Sequence, residues 1–210
     1  MKTKKLILFI GANLIAVIAI LLIVERKNMV SKYGDRFKRN AFIMSDSVIV
    51  DSDHKSVYNF YIHHYDEVYS KTADIHHEFV LLNTDSITEG TKIYCREGKE
   101  DAMIHHDYIV KKVIPNRMIY KASEPSVVHN KTKKGVYKTT CNAFVYVDFQ
   151  ELDDQKSLVK FTIIVQMPNY FYRLMGRIIG GKKAKTEWED HLNEELVGFR
   201  DMYYKESENI

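Results

Sequence analysis

His191 and Glu195 stand four residues apart in the stretch Trp188-Glu189-Asp190-His191-Leu192-Asn193-Glu194-Glu195-Leu196-Val197-Gly198-Phe199. Apolar residues recur there at helical spacing, at Trp188, Leu192, Leu196, Phe199 and Tyr203, which predicts an amphipathic helix. At about 100° per residue, Glu195 falls inside the apolar arc and His191 at its edge one turn earlier, whereas Glu194 points away. A carboxylate aimed at a core is costly unless it is paired or ligates a metal. The pair therefore has two readings: a buried hydrogen-bonded couple, or two ligands reaching one metal ion from one helical face.

A second carboxylate follows the same logic. In Thr91-Lys92-Ile93-Tyr94-Cys95-Arg96-Glu97, strand alternation puts Ile93, Cys95 and Glu97 on one face and Lys92, Tyr94 and Arg96 on the other. Glu97 is thus on the more apolar side, facing the interior, or else, being at the strand end, is reached by water. Six of the nine histidines come as adjacent pairs, His63-His64, His76-His77 and His105-His106. In a strand, each pair sends one imidazole to either face whatever the register. If His76 or His77 meets Glu97, His191 and Glu195, the set is two imidazoles and two carboxylates. That mixture suits Zn²⁺ with room for a water or substrate oxygen. His105 or His106 is then the candidate for a supporting or general acid–base group, assigned here as catalytic.

The elements that must position these groups read as an α+β domain. Ala41–Val50 reads as a strand. A helix is predicted over 54–64, with Asp51 and Asp53 as cap candidates, and a shorter one over 66–71. Strands are predicted over 77–84, 91–97, 102–114, 117–122, 137–149 and 157–167, residues 168–181 as irregular, and a long helix over 185–204. Short turns between consecutive strands argue for an antiparallel sheet, and a long amphipathic helix closes it. Such a curved sheet around a helix leaves an interior for a small hydrophobic molecule, lined by Trp188, Phe199, Phe161 and Ile163. Cys95 and Cys141 give neither a disulfide framework nor a metal spacing and are read as core residues.

Ahead of this domain, Leu6 to Val24 is an apolar run of 19 residues broken only by Gly11 and Asn13, the length of a membrane-spanning helix. Lys2, Lys4 and Lys5 precede it, as they would in a secretory signal peptide, yet Leu-Leu-Ile-Val-Glu-Arg-Lys ends it without a small-residue cleavage site. The expected layout is a basic N-terminus (1–5), a single-pass membrane anchor (6–24), a basic juxtamembrane linker (25–40), the domain (41–205) and a tail (206–210). More basic residues follow the run than precede it, so charge leans towards a cytoplasmic domain. Residues 1–40 carry nine Lys or Arg and two acids, a net +7; the whole chain carries +3, leaving −4 for 41–210. A mildly acidic domain makes nucleic acid an unexpected partner.

The order of elements and the phrase Tyr108-Ile109-Val110-Lys111-Lys112-Val113-Ile114-Pro115-Asn116-Arg117-Met118-Ile119-Tyr120 resemble the START-like (Bet v 1-like, helix-grip) superfamily. Within it the chain resembles the diacetylphloroglucinol hydrolase-like family in three places. These are Ile75-His76-His77-Glu78-Phe79, Tyr94-Cys95-Arg96-Glu97, and the His-x-x-x-Glu of His191 to Glu195. The resemblance implies zinc held by His76, Glu97, His191 and Glu195, and hydrolysis of a carbon–carbon bond next to an aryl ketone. The alternative expectation is a non-enzymatic binding protein for a lipid or other hydrophobic ligand.

Overall fold

The computed structural model describes residues 41–207 except 73, 100–101, 170 and 175–180, together with Asn13, Ala16, Val17, Ala19 and Ile20. These five N-terminal residues are helical. The rest of the anchor expected over 6–24, the linker and most of the tail lie outside the described residues. Among the described residues, no helix is long and apolar enough to cross a membrane.

Seven strands form one antiparallel sheet: β1 (Ala41–Val50), β2 (His76–Leu81), β3 (Lys92–Lys99), β4 (Ala102–Ile114), β5 (Met118–Thr132), β6 (Gly135–Asp153) and β7 (Lys156–Gln166). Their spatial order is β1-β7-β6-β5-β4-β3-β2. Every neighbour from β2 to β7 is thus consecutive in sequence, and only β1 joins the far edge, against β7. The connection from β1 to β2 carries two short helices, α1 (His54–His63) and α2 (Tyr65–Thr72). The chain ends in α3 (Gly181–Ser207). This is the curved-sheet, C-terminal-helix architecture of a helix-grip domain.

Local chemistry explains the boundaries. Asp53 caps α1, its side-chain oxygen accepting from the backbone N–H of Lys55 and Ser56 at 3.1 Å each, which satisfies two otherwise unpaired donors. Asn116 supplies the positive φ of 58° in the β4–β5 turn, a conformation that Asn tolerates. The long β5–β6 hairpin exceeds the strand expected over 117–122, because β5 continues to Thr132. Pro125 lacks the N–H of a regular ladder residue. The ladder accommodates it with a register shift between Ser123 and Ser126 and then resumes. Helix α3 also starts four residues before the expected Lys185.

The core lies between the concave face of the sheet and the three helices. Leu192, Leu196, Phe199 and Tyr203 of α3 are buried as their spacing requires, beside Val159 and Phe161 of β7. Aromatic rings fill the space: Tyr61 packs edge-on to Phe149, Phe161 and Phe199 at centroid distances of 5.4–6.0 Å. Cys95 and Cys141 are buried and free. The far end of α3 is tied to the β1–α1 turn, where Tyr204 Oη accepts from the Asp51 N–H at 2.8 Å and Tyr203 Oη meets Ser52 Oγ at 2.6 Å.

Candidate metal centre

His76, Glu97, His191 and Glu195 converge, one ligand atom from each lying within 4.8 Å of every other. Three elements deliver them. His76 and Glu97 are directly opposite each other in the β2–β3 ladder, and α3 lays His191 and Glu195 across the pair. Glu97 shares the inward face with Ile93 and Cys95, as alternation predicts.

Alternation by itself cannot choose between His76 and His77, and a bulge decides it. The β2–β3 register shifts between His76 and Glu78. His76 and Phe79, three apart, therefore both face inward, where a regular strand would oppose them. His77 faces out and donates from Nε2 to the Gly98 carbonyl at 2.9 Å.

The site is buried and charged. The His76 side chain is 1% exposed, and Glu97, His191 and Glu195 are 6%, 5% and 3% exposed. His76 Nε2 lies 3.0 Å from both Glu97 Oε2 and Glu195 Oε1. His191 Nε2 lies 3.2 Å from Glu195 Oε1 and 3.9 Å from Glu97 Oε2, yet neither His191 nitrogen has a hydrogen-bond partner. Its approach to Glu195 is an ion-pair distance without hydrogen-bond alignment. An orphaned buried imidazole beside two carboxylates is what removal of a shared cation would leave behind. Donors in a tetrahedral zinc site with bonds of 2.0–2.2 Å stand about 3.4 Å apart, so these four atoms fit one ion with small adjustments.

The four groups also shift one another's protonation. Burial by itself would lower His76, but the carboxylates of Glu195 and Glu97 overcome it and raise it to about 10. His191 is raised by Glu195 and Glu97 against the same burial. Burial would raise Glu195, but His191 and His76 bring it down to about 2. Glu97 is held well below the usual carboxylate range by His106 and His76, again against burial. Both acids are therefore charged, as ligation requires, while the same carboxylates hold His76 and His191 in the protonated form, so a metal would have to displace a proton from each ring.

Supporting contacts orient the ligands. His76 donates from Nδ1 to the Tyr69 carbonyl at the end of α2, which leaves Nε2 directed at the cluster. His106, buried on β4, places Nε2 2.9 Å from Glu97 Oε1 and Nδ1 2.7 Å from Ser126 Oγ. An Nε2–H donated to Glu97 leaves Nδ1 to accept the serine proton. Such contacts fix the ring and carboxylate geometry of metal sites. His105, the other candidate of that pair, lies away from the cluster. It points to the opposite face of β4, its Nδ1 2.9 Å from Tyr94 Oη, because adjacent strand residues face opposite ways. Ser126 and the Tyr69 carbonyl went unread in the sequence. A backbone carbonyl leaves no residue signature, and Ser126 lay beyond the predicted end of its strand.

Solved structures share the fold. The chain is similar to Ara h 8.0201 (TM-score 0.53, 5% identity, covering 79% of this chain and 99% of that one). It is also similar to ginseng major latex-like protein 151 from Panax ginseng (TM-score 0.55, 9% identity, 78% and 98%). A third is TTHA0849 from Thermus thermophilus (TM-score 0.52, 8% identity, 79% and 99%). At such identities the likeness establishes a Bet v 1-like helix-grip fold and nothing finer. No family model matches the sequence, and no curated protein matches it.

Proposed function

We propose that this is a zinc-binding helix-grip protein whose ligand is a small hydrophobic or aromatic ketone. Its reaction would be hydrolysis of the carbon–carbon bond beside the carbonyl, as resemblance to the diacetylphloroglucinol hydrolase-like family implies. The observation that carries the reading is the convergence of two buried imidazoles and two buried carboxylates, with the His191 nitrogens unpartnered. Zinc, when bound by His76, Glu97, His191 and Glu195, supplies a Lewis acid for a carbonyl oxygen and lowers the pKa of a water. The chain's own residues do the rest. His106 holds the second oxygen of Glu97 through Nε2 and presents Nδ1 to the Ser126 hydroxyl, whose proton it can accept. The aromatic interior excludes bulk water, and Trp188, 5.8 Å from the His191 ring, gives the site an apolar flank. The run from Leu6 to Val24 would keep the domain at a membrane, near hydrophobic ligands.

The alternative, a binding protein without catalysis, is favoured by the fold. Metal analysis and turnover separate the two. Stoichiometric zinc, lost in His191→Ala, together with zinc-dependent cleavage of the ring–acyl carbon–carbon bond of a C-acylated phenol (an aryl ketone), supports the hydrolase. Zinc without cleavage supports the binding protein, and absence of zinc rejects the metal centre.

A further inference from the structure

Lys121 sits in the middle of β5 and is 3% exposed. It shares the inward parity of Ile119, so its side chain enters the core. Four rings enclose its Nζ: Tyr69 at 4.2 Å, Tyr108 at 4.7 Å, Tyr65 at 5.2 Å and Phe79 at 5.4 Å to the centroids. Among the described residues it forms no ion pair. Ring faces offset only part of the cost of burying an ammonium. A second polar group waits at the same place. Tyr65 is 1% exposed and its hydroxyl has no hydrogen-bond partner. Burial pushes that phenol well up, and the Lys121 charge is the largest influence pulling it back, so the hydroxyl stays protonated and able to donate.

A buried cation without a counter-ion and a buried donor without an acceptor, side by side, define a place for an anionic oxygen. Two donors match the two oxygens of a carboxylate. A phosphate dianion would need more donors than the surrounding rings provide. The rings themselves favour an apolar body on the same molecule. We propose that Lys121 and the Tyr65 hydroxyl form an anion site inside the domain that takes the carboxylate of a small apolar ligand. It is separate from the metal cluster yet adjoins it through two residues. Tyr69 supplies both a ring over Lys121 and the carbonyl that holds His76. Tyr108 lies under Lys121 and stacks on His106 at 4.7 Å. A ligand held here would have its far end directed by rings that border the cluster. The site stands on Lys121 and Tyr65 alone and does not require zinc.

The test is calorimetric titration of the purified full chain with benzoate, benzyl alcohol and inorganic phosphate, repeated after chelator treatment. Wild type is compared with Lys121→Met and Tyr65→Phe. Benzoate is expected to bind wild type in preference to benzyl alcohol and phosphate. It should weaken at least tenfold in Lys121→Met and severalfold in Tyr65→Phe, with chelator changing neither ratio. Lys121→Met should melt at or above wild type, because an apolar chain of similar length replaces a buried charge. Equal benzoate affinity in all three proteins, or no benzoate binding to wild type, would overturn the proposal. So would binding that chelator abolishes, since the carboxylate would then sit on the metal. If Lys121→Met fails to fold, Tyr65→Phe, which keeps the ring and the lysine, decides by its affinity ratio.

Discussion

Glu97 connects the cluster to its surroundings, with one oxygen facing His76 and the other facing His106. His106→Ala is therefore expected to weaken zinc binding about 10–100-fold while leaving the four ligands in place, measured by competition against a chelating dye. His191→Ala removes a ligand and should cost more than His106→Ala in the same assay. Protons set the behaviour of the metal-free protein. His76 is raised from 6.5 to about 10, so its contribution to stability is complete below pH 6.5 and is lost as pH rises through 10. Glu195 is lowered from 4.5 to about 2, so its contribution is complete above pH 4.5 and is lost as pH falls through 2. Chelator-treated protein should thus draw most stability from this cluster between about pH 4.5 and 6.5. Urea denaturation across pH checks it, and a cluster contribution still rising above pH 7 would contradict it.

The elements carry the geometry. The β2 bulge turns His76 inward, and α2 then receives its Nδ1 proton on the Tyr69 carbonyl. Where α2 ends it meets α3 at Gly198: a Cβ built there would lie 2.7 Å from Thr72 Cβ and 2.8 Å from its Cγ2. Gly198→Ala gains up to about 1 kcal/mol of helix propensity but forces the two helices apart, an overpacking cost of about 1–3 kcal/mol. The clash should win, lowering the thermal midpoint and loosening the Tyr69–His76 contact with it. A raised midpoint in calorimetry would show that the close approach is not needed. Asp53→Ala should cost about 1 kcal/mol through the lost α1 cap without changing zinc affinity, which makes it the control for stability effects far from the cluster.

At the scale of the whole molecule, the cluster joins two adjacent strands to the helix that the sheet grips. A cation bound there acts as a crosslink between the two layers. At free zinc 100 times its Kd, the folded state should gain about 2.7 kcal/mol. For a domain of this size that is a rise of about 5–11 °C in Tm, read by calorimetry with zinc against chelator. The full chain is expected to stay with membranes through a high-salt wash, because a 19-residue apolar run holds by burial rather than charge. Residues 41–210 without that run should remain in the supernatant.

Periodicity in the sequence put Glu97 on the more apolar face of its strand, Glu195 inside the apolar arc of its helix and His191 at that arc's edge, because a strand repeats every two residues and a helix every 3.6; only the packed structure shows all three buried. The same reasoning recognised the antiparallel order of strands and the closing helix. It could not choose between His76 and His77, since a bulge resets the parity of β2 and leaves no fixed mark in residue type. It ended β5 too early, and only the pairing with β6 shows the ladder resuming beyond Pro125. Lys121 escaped notice for a related reason: a lysine within a strand is ordinarily solvent-facing, and only the rings of α2, β2 and β4 closing over it make its charge an interior one. Residue types and their periods are local and survive in the chain. Which of them share one buried spot depends on contacts between segments far apart in sequence, which exist only once the sheet has wrapped the helix.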